Sequence, residues 1–288
     1  MNGRFSIKGT TQILCLIGHP VAHSFSPIMH NPALQELELD YVYTAFDVPP
    51  RNLEKAVEGL KALNIKGCNV TIPHKEAIIP FLDEIDPLAA KIGAINTIKN
   101  DNGTLIAKNT DSIGGKKALK EAGCTISKQK IAVIGAGGAS RALNFTLAEE
   151  AREIVIFNRT VSRGKNLAKE LQNKMEIKAR GLSLEQKILK KELEGADILI
   201  NTTPVGMYPK VDNSPISKDL LHEDLFVFDI VYNPSKTKLL KDAKSVGCDT
   251  LGGLDMLVYQ GALGFKWWTG HKPNTTLMKK ALKKHLGI

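Results

Sequence analysis

Lys75, Asp111, Ser24 and Ser26 stand in polar stretches that follow apolar runs of the chain. An ammonium and a carboxylate are groups suited to proton transfer at an oxygen, and closely spaced hydroxyls suit a small polar ligand. Lys75 lies in Asn69-Val70-Thr71-Ile72-Pro73-His74-Lys75, where an extended segment passes into a helix begun by Pro73. That register puts Asn69 and Thr71 on one face of the strand and Lys75 in the first helical turn, where a cation opposes the helix macrodipole. Two readings stay open for it: a tolerated surface lysine, or an ammonium whose pKa is lowered for proton transfer. Spacing alone favours capping roles elsewhere. Asp111 reads as the cap of a helix over 113–121, ahead of a Gly114-Gly115 hinge, and Ser26 as an N-cap with Pro27 at N1. Asn31-Pro32 reads as a second helix start, because Pro32 would break a continuing first helix.

A different chemistry, the holding of a pyrophosphate, is written between Lys130 and Arg163. The apolar run 130–134 is followed by Gly135-Ala136-Gly137-Gly138-Ala139-Ser140, then by helical spacing over 141–149 and a second β-rich run over 153–157. Such a strand, turn, helix and strand bring backbone close to phosphate at a helix N-terminus, and Gly135 and Gly137 supply the freedom that requires. Ser140 replaces the third fingerprint glycine and is small enough for close helix–strand packing. Where an NAD-binding unit places an acid, roughly 20 residues on, this chain has Asn158-Arg159-Thr160 and then Arg163. Two arginines attract a 2′-phosphate that an acid would repel, so the stretch predicts NADP over NAD. The competing reading makes both arginines solvated charges at a helix cap.

The elements that must position these groups follow from periodicity. Strands are expected over 13–17, 41–48, 66–72, 92–98, 105–107, 196–200 and 225–231, with a hairpin turn at Asn102-Gly103. Helices are expected over 52–63, 86–90 and 236–246, and in two C-terminal segments, the first holding Met256, Tyr259, Gln260, Phe265, Trp267 and Trp268 as core aromatics and neighbours. Asn201-Thr202-Thr203-Pro204-Val205-Gly206-Met207 ends a parallel strand, so it should border the cofactor. The fold class is α/β in two domains, an N-terminal α/β substrate domain and a Rossmann-type doubly wound parallel sheet that binds NADP.

At 288 residues, with 43% hydrophobic and 24% charged content, the chain fits two ordinary globular domains. No apolar run approaches the roughly 20 residues of a membrane span, and residues 1–11 lack the apolar stretch of a secretory signal. No membrane association and a cytoplasmic location are therefore expected. Cys15, Cys68, Cys124 and Cys248 are scattered, which argues against disulfides and zinc, and Pro20 between His19 and His23 argues against a metal pair there. The net charge of +9 is spread over many segments without aromatic interleaving, so no nucleic acid is expected as a partner.

Taken together these pieces resemble the shikimate dehydrogenase family along essentially the whole chain. Ser24-Phe25-Ser26-Pro27 matches its S-x-S-P motif, Asn69 to Lys75 its N-V-T-x-P-x-K segment, and Gly93-Ala94-Ile95-Asn96-Thr97 with Asn109-Thr110-Asp111 the two that follow. Gly135 to Gly138 resembles its G-A-G-G turn, Asn158 to Arg163 its N-R-T-x-x-R, Asn201 to Met207 its nicotinamide loop, and Gln260 its late substrate glutamine. The resemblance implies reversible reduction of 3-dehydroshikimate to shikimate with NADPH, on the route to chorismate and aromatic amino acids. By it, Lys75 and Asp111 are the catalytic pair, Ser24 and Ser26 hold the substrate carboxylate, and Thr71, Asn96 and Gln260 its hydroxyls. It adds Asn69 and Tyr232 to the substrate site. On the cofactor side it implies Gly135, Ala136, Gly137, Gly138, Ala139, Asn158, Arg159, Thr160, Arg163, Thr202, Thr203, Pro204, Val205, Met207, Ile230, Gly253 and Met256. A homodimer is compatible with it, and a quinate/shikimate dehydrogenase with broader substrate or cofactor use is the alternative. The expected domains are 1–111 with 252–288 for substrate and 112–251 for NADP. Ser112, Pro32 and Gly261 depart from the family pattern; Ser112 is expected to alter the hinge and Gly261 to loosen substrate contacts.

Overall fold

The computed structural model describes residues 6–288. In chain order its elements are β1 (Gln12–Gly18), α1 (Ser26–Glu36), β2 (Tyr41–Asp47), α2 (Leu53–Ala62), β3 (Gly67–Val70), α3 (His74–Ala77), β4 (Glu84–Ile85), α4 (Pro87–Ile92), β5 (Thr97–Asp101), β6 (Thr104–Lys108) and α5 (Thr110–Glu121). There follow β7 (Lys130–Ile134), α6 (Gly138–Leu147), β8 (Glu153–Phe157), α7 (Val161–Met175), β9 (Lys178–Leu182), α8 (Gln186–Leu193), β10 (Ile198–Asn201), β11 (Phe226–Asp229), α9 (Lys238–Val246), β12 (Thr250–Gly252), α10 (Leu254–Thr269) and α11 (Thr275–Leu286). The chain divides into two compact units, one of residues up to Thr110 with Val258–Ile288, the other Asp111–Leu257. Both divisions fall inside helices, α5 and α10.

The first unit is built on a mixed sheet of order β2-β1-β3-β5-β6-β4. β1 runs parallel to β2 and β3, whereas β5 is antiparallel to β3 and β6. Its apolar strand positions join Val57 and Leu60 of α2 in one core. On the other side, Gly67 lets Trp268 of α10 lie against β3, since a Cβ there would stand 2.4 Å from the indole. The indole Nε1 donates to the Ile98 carbonyl (2.8 Å), so Trp268 and the buried Phe265 are core residues as expected. Trp267 instead takes the Lys108 ammonium over its ring, at 4.6 Å.

The second unit carries a wholly parallel sheet of order β12-β11-β10-β7-β8-β9, wound outward in both directions from β7. This is the doubly wound dinucleotide-binding order, whose direction reverses between β7 and β10. At the sheet's amino end the largely buried Lys130 pairs with Glu192, and Arg180 links Glu192 to Glu153, which also pairs with Lys178. The Arg180 guanidinium, ahead of Lys130, holds the Glu192 carboxyl at about 2.

Several local expectations are corrected. α1 is one helix with Pro32 inside it, so no second helix starts there. Asn31 bridges the helix to β2: its Nδ2 donates to the Pro27 and Tyr43 carbonyls (3.0 and 2.9 Å), and the Tyr43 N–H donates to its Oδ1 (2.9 Å). With Met29, His30, Ala33 and Leu34 buried, packing outweighs the roughly 3 kcal/mol that an interior proline costs a helix. Ser26 does not cap α1; the cap position is Phe25, and no side chain caps it. Asp111 is likewise the second residue of α5 rather than its cap, and Gly114-Gly115 is helical, not a hinge. A Cβ at Gly115 would meet Leu143 Cδ2 at 2.3 Å and Met256 Sδ at 3.3 Å, so close packing explains that glycine. Ser112 is buried within the same helix. Of residues 92–98, Ile92 ends α4, Gly93 turns the chain and 94–96 are irregular, with β5 beginning only at Thr97. α7, β9, α8 and β12 lie in stretches for which periodicity gave no element.

Candidate active site

In the first unit, side chains expected to bind substrate follow the ends of strands β1 and β3. Ser24 is half-buried after β1, and its Oγ accepts from the Ser26 N–H at 3.4 Å. Ser26 is buried, with its hydroxyl acting on the Tyr43 phenol. Thr71 follows β3, its N–H donating to the Ile17 carbonyl (2.9 Å). Its methyl occupies the space a Cβ on Gly18 would need.

A buried cluster of amides and hydroxyls lies behind them. Asn96 Oδ1 accepts from the Thr110 N–H (2.7 Å) and from Thr97 Oγ1 (3.0 Å), while Asn96 Nδ2 donates to Thr110 Oγ1 (3.0 Å) and Gln260 Oε1 (3.4 Å). The amide face of Asn96 is thereby fixed, and Gln260 is brought to it from α10. Asn69 joins the same cluster. Its Nδ2 donates to the Asn96 carbonyl (3.0 Å) and Thr97 Oγ1 (3.2 Å), and its Oδ1 accepts from the Tyr43 phenol (2.6 Å). Both of its amide protons are engaged inside the protein, as those of Asn96 are, so Asn69 also braces its neighbours. Tyr43, Thr97 and Thr110 complete that scaffold; Thr97 and Thr110 adjoin Asn96 and Asp111 in the chain, and nothing in the sequence marks Tyr43.

Lys75 is half-buried on α3, a single turn of four residues capped by no side chain. So short a helix has a small dipole, and the macrodipole argument for this lysine loses most of its force. What fixes α3 is tertiary. His74 Nε2 is 2.6 Å from the Val48 carbonyl oxygen, and the Ile95 N–H donates to the Lys75 carbonyl at 2.7 Å. The second bond ties Lys75 to the residue next to Asn96. Gly261 does not face this cluster: a Cβ there would meet Met29 Cε at 2.3 Å and His30 Nε2 at 3.3 Å, so its smallness serves the core.

In the second unit Asp111 is buried at the head of α5. The glycine turn behaves as its sequence requires. Gly135 has φ +110°, and its Cβ would meet Thr202 Oγ1 at 2.5 Å. Ser140 does more than pack: its Oγ donates to the Gly135 carbonyl (2.7 Å) and accepts from Asn144 Nδ2 (3.0 Å). α6 starts at Gly138, three residues earlier than expected, after Gly137, which no side chain caps and whose Cβ position is open space. The first N–H groups of a helix have no partner within it, and here they follow an open glycine turn beside half-buried Ala136 and Ala139.

Asn158, half-buried at the end of β8, donates from Nδ2 to the Thr160 carbonyl (2.8 Å). Arg159, Thr160 and Arg163 are exposed around the start of α7, which has no side-chain cap and no acid in its first turn. Both arginines are solvated beside the helix start, a placement common to both readings, and both add positive charge where the helix end is already positive. After β10, Thr202 donates from Oγ1 to the Ile134 carbonyl (2.7 Å), tying Thr203, Pro204, Val205 and Met207 to the end of β7. Ile230 and Tyr232 follow β11, and burial raises the Tyr232 phenol above its ordinary range. Gly253 is packed so closely that a Cβ would lie 2.0 Å from the Ile230 carbonyl oxygen. Met256 is buried on α10. An open glycine turn under a helix start, with two arginines at the adjoining strand end, fits a dinucleotide carrying a 2′-phosphate.

Residues 16–98 match the model of the shikimate dehydrogenase substrate binding domain, 116–243 that of shikimate / quinate 5-dehydrogenase, and 253–283 that of the shikimate 5'-dehydrogenase C-terminal domain. The shikimate dehydrogenase (NADP(+)) of Methanocaldococcus jannaschii is 51% identical over 283 residues, covering 96% of this chain and 98% of the relative. The chain belongs to the shikimate dehydrogenase family. Among solved members, a shikimate dehydrogenase in complex with NADP+ superposes with a TM-score of 0.91 at 48% identity, covering 98% of each chain. The shikimate 5-dehydrogenase of Listeria monocytogenes, in complex with shikimate and NAD, gives 0.89 at 40% identity, with 96% of this chain and 98% of that one covered. Family membership accounts for the mixed sheet of the first unit and the doubly wound sheet of the second together.

Proposed function

We propose that the chain catalyses the reversible, NADPH-dependent reduction of 3-dehydroshikimate to shikimate, as an oxidoreductase of aromatic amino acid biosynthesis. The observation that supports the residue assignment is the Ile95-to-Lys75 backbone bond, which ties the turn carrying Lys75 to the residue preceding Asn96, itself bonded to Gln260. An ammonium to move the proton and fixed amides to hold the hydroxyls are what reduction of a carbonyl on a polyhydroxylated ring requires. NADPH, when bound, supplies the hydride to the carbonyl carbon. Lys75 Nζ then gives a proton to the developing alkoxide oxygen, and in the oxidative direction it takes that proton back. Asp111 is the carboxylate partner of the pair, orienting the reacting hydroxyl.

Ser24 and Ser26 donate hydroxyl hydrogens to the substrate carboxylate. Thr71, Asn96, Gln260 and Tyr232 bind ring hydroxyls, with Asn69 holding Asn96 in place. For the cofactor, Gly135 to Ala139 receive the pyrophosphate, Asn158, Arg159, Thr160 and Arg163 the 2′-phosphate ribose, and Thr202, Thr203, Pro204, Val205, Met207, Ile230, Gly253 and Met256 the nicotinamide side. The substrate domain is the unit with the mixed sheet and the NADP domain the unit with the parallel sheet. No helix among the described residues is long and apolar enough to cross a membrane. All four cysteines are free thiols, which supports a reducing, cytoplasmic setting. The proposed assembly is a homodimer, to be checked by light scattering. The function is tested by assaying purified protein against shikimate and quinate, each with NADP+ and with NAD+. Turnover is expected with shikimate and NADP+; quinate turnover at a comparable kcat/KM would replace this reading with the quinate/shikimate dehydrogenase one.

A further inference from the structure

We propose that Asp229, a buried carboxylate at the end of β11, is a positioning residue for cofactor binding, because it decides which way the Asn201 side-chain amide faces. The proposal rests on the reading that the loop after β10 holds NADP. Asp229 is fully buried. Its Oδ1 accepts from Asn201 Nδ2 (2.9 Å) and the Val231 N–H (3.1 Å), and its Oδ2 from Thr237 Oγ1 (2.7 Å). An ionised carboxylate only accepts, so Asn201 must present its NH2 to it.

The consequence is on the far side of that amide. Asn201 Oδ1 is turned to the loop, where it accepts from the Thr203 N–H (3.0 Å) and Thr203 Oγ1 (2.7 Å). Thr203 Oγ1 in turn accepts from the Val205 N–H (3.3 Å). An inverted Asn201 would set its NH2 against the Thr203 N–H and its oxygen against the carboxylate, two repulsive contacts for two attractive ones. Thr237 makes Asp229 more than a local partner, since its hydroxyl also accepts from the Leu240 N–H and caps α9 (3.3 Å). The start of α9, the turn after β11 and the loop after β10 therefore meet at one carboxylate. Burial pushes that carboxyl up to about 6, against the pull of Thr237, Val231 and Asn201. A carboxylate kept in so unfavourable a place, when an amide of the same shape would pack equally well, is explained by its acceptor-only character.

The experiment compares wild type with Asp229→Asn, Thr237→Val, Thr237→Ser and Thr203→Val. NADP+ binding is measured by calorimetry and amide hydrogen exchange is followed at Thr203 and Val205 in the cofactor-free protein. Asp229→Asn lets the 201 amide face either way, and is expected to weaken NADP+ binding about tenfold, to raise exchange at Thr203 and Val205, and to leave KM for shikimate unchanged. Thr237→Val should move both readouts the same way and Thr237→Ser should restore them. Unchanged affinity and exchange in a folded Asp229→Asn protein, with Thr203→Val still weakening NADP+, would overturn the proposal and leave the loop reading standing. Exchange rising evenly over the whole unit, with a lower melting temperature and no selective change at 203 and 205, would also overturn it in favour of a purely structural role. Unchanged affinity in Thr203→Val would remove the loop from the cofactor site and the proposal with it.

Discussion

Lys75 is held by backbone bonds on both sides of its turn, from Ile95 to its own carbonyl and from Ile78 to the His74 carbonyl, so its ammonium can be removed without dismantling the turn. Lys75→Met should leave the fold intact by circular dichroism and lower kcat for shikimate about a hundredfold or more. Turnover near that of wild type in a folded variant would remove Lys75 from the chemistry. The arginines are separable in the same way, being exposed and outside any ion pair among the described residues. Replacing Arg159 and Arg163 together by Ala should raise KM for NADP+ by about tenfold or more while sparing KM for NAD+, because only the former carries the phosphate that a guanidinium pairs. Equal effects on both cofactors would place the phosphate elsewhere.

Elements here are shaped by what they approach. β11 and the start of α10 come together over Gly253, where no side chain fits against the Ile230 carbonyl. Gly253→Ala is therefore expected to lower the melting temperature by several degrees and to weaken NADP+ binding, both readable by a thermal shift with and without cofactor. α1 shows the opposite balance. Its interior proline leaves the Ile28 carbonyl without the N–H of residue 32, and the helix survives through Asn31 and its buried face. Pro32→Ala should accordingly raise stability, by about 1–3 kcal/mol in denaturant unfolding; a loss would mean that the proline's rigidity contributes more than the missing hydrogen bond.

For the molecule as a whole, pH response follows from buried groups of opposite sign. His30 is fully buried, stacked 4.3 Å from the Tyr43 ring, with neither nitrogen hydrogen-bonded. Burial lowers its pKa from 6.5 to about 3. A depressed folded pKa means that stability is whole above 6.5 and is lost as pH falls towards 3, since only the unfolded chain takes up the proton. Asp229, raised from 3.8 to about 6, works the other way, binding its proton first in the folded state and gaining stability as pH falls from about 6 to 3.8. Glu192, lowered from 4.5 to about 2, adds a loss below 4.5. His30→Phe, which keeps the stack, should flatten the fall in stability between pH 6.5 and 4.5 by roughly 2–3 kcal/mol, measured by calorimetry at fixed ionic strength. Equal slopes for variant and wild type would show that His30 titrates normally in the fold.

Sequence alone settled the elements whose signal is local. The apolar run 130–134, the glycine turn and the helix after it are contiguous, and their succession can be read without knowing what lies across the sheet. The same holds for α2 and α9, whose apolar faces repeat at helical spacing. Tertiary structure decided the rest, because the deciding partner is distant in the chain. Asn69 reads as a substrate residue without its bonds to Asn96, Thr97 and Tyr43, which only the fold brings together; Gly114-Gly115 looked like a hinge and is helical, with Gly115 packed on Leu143 and Met256. Pro32 looked like a break and is overruled by Asn31 gripping β2. Asp229 closes the apolar run Phe226-Val227-Phe228, and nothing in its spacing singles it out. Its meaning came only when the fold brought Asn201 and Thr237 to the same carboxylate, since a buried charge is interpretable only through the donors that surround it.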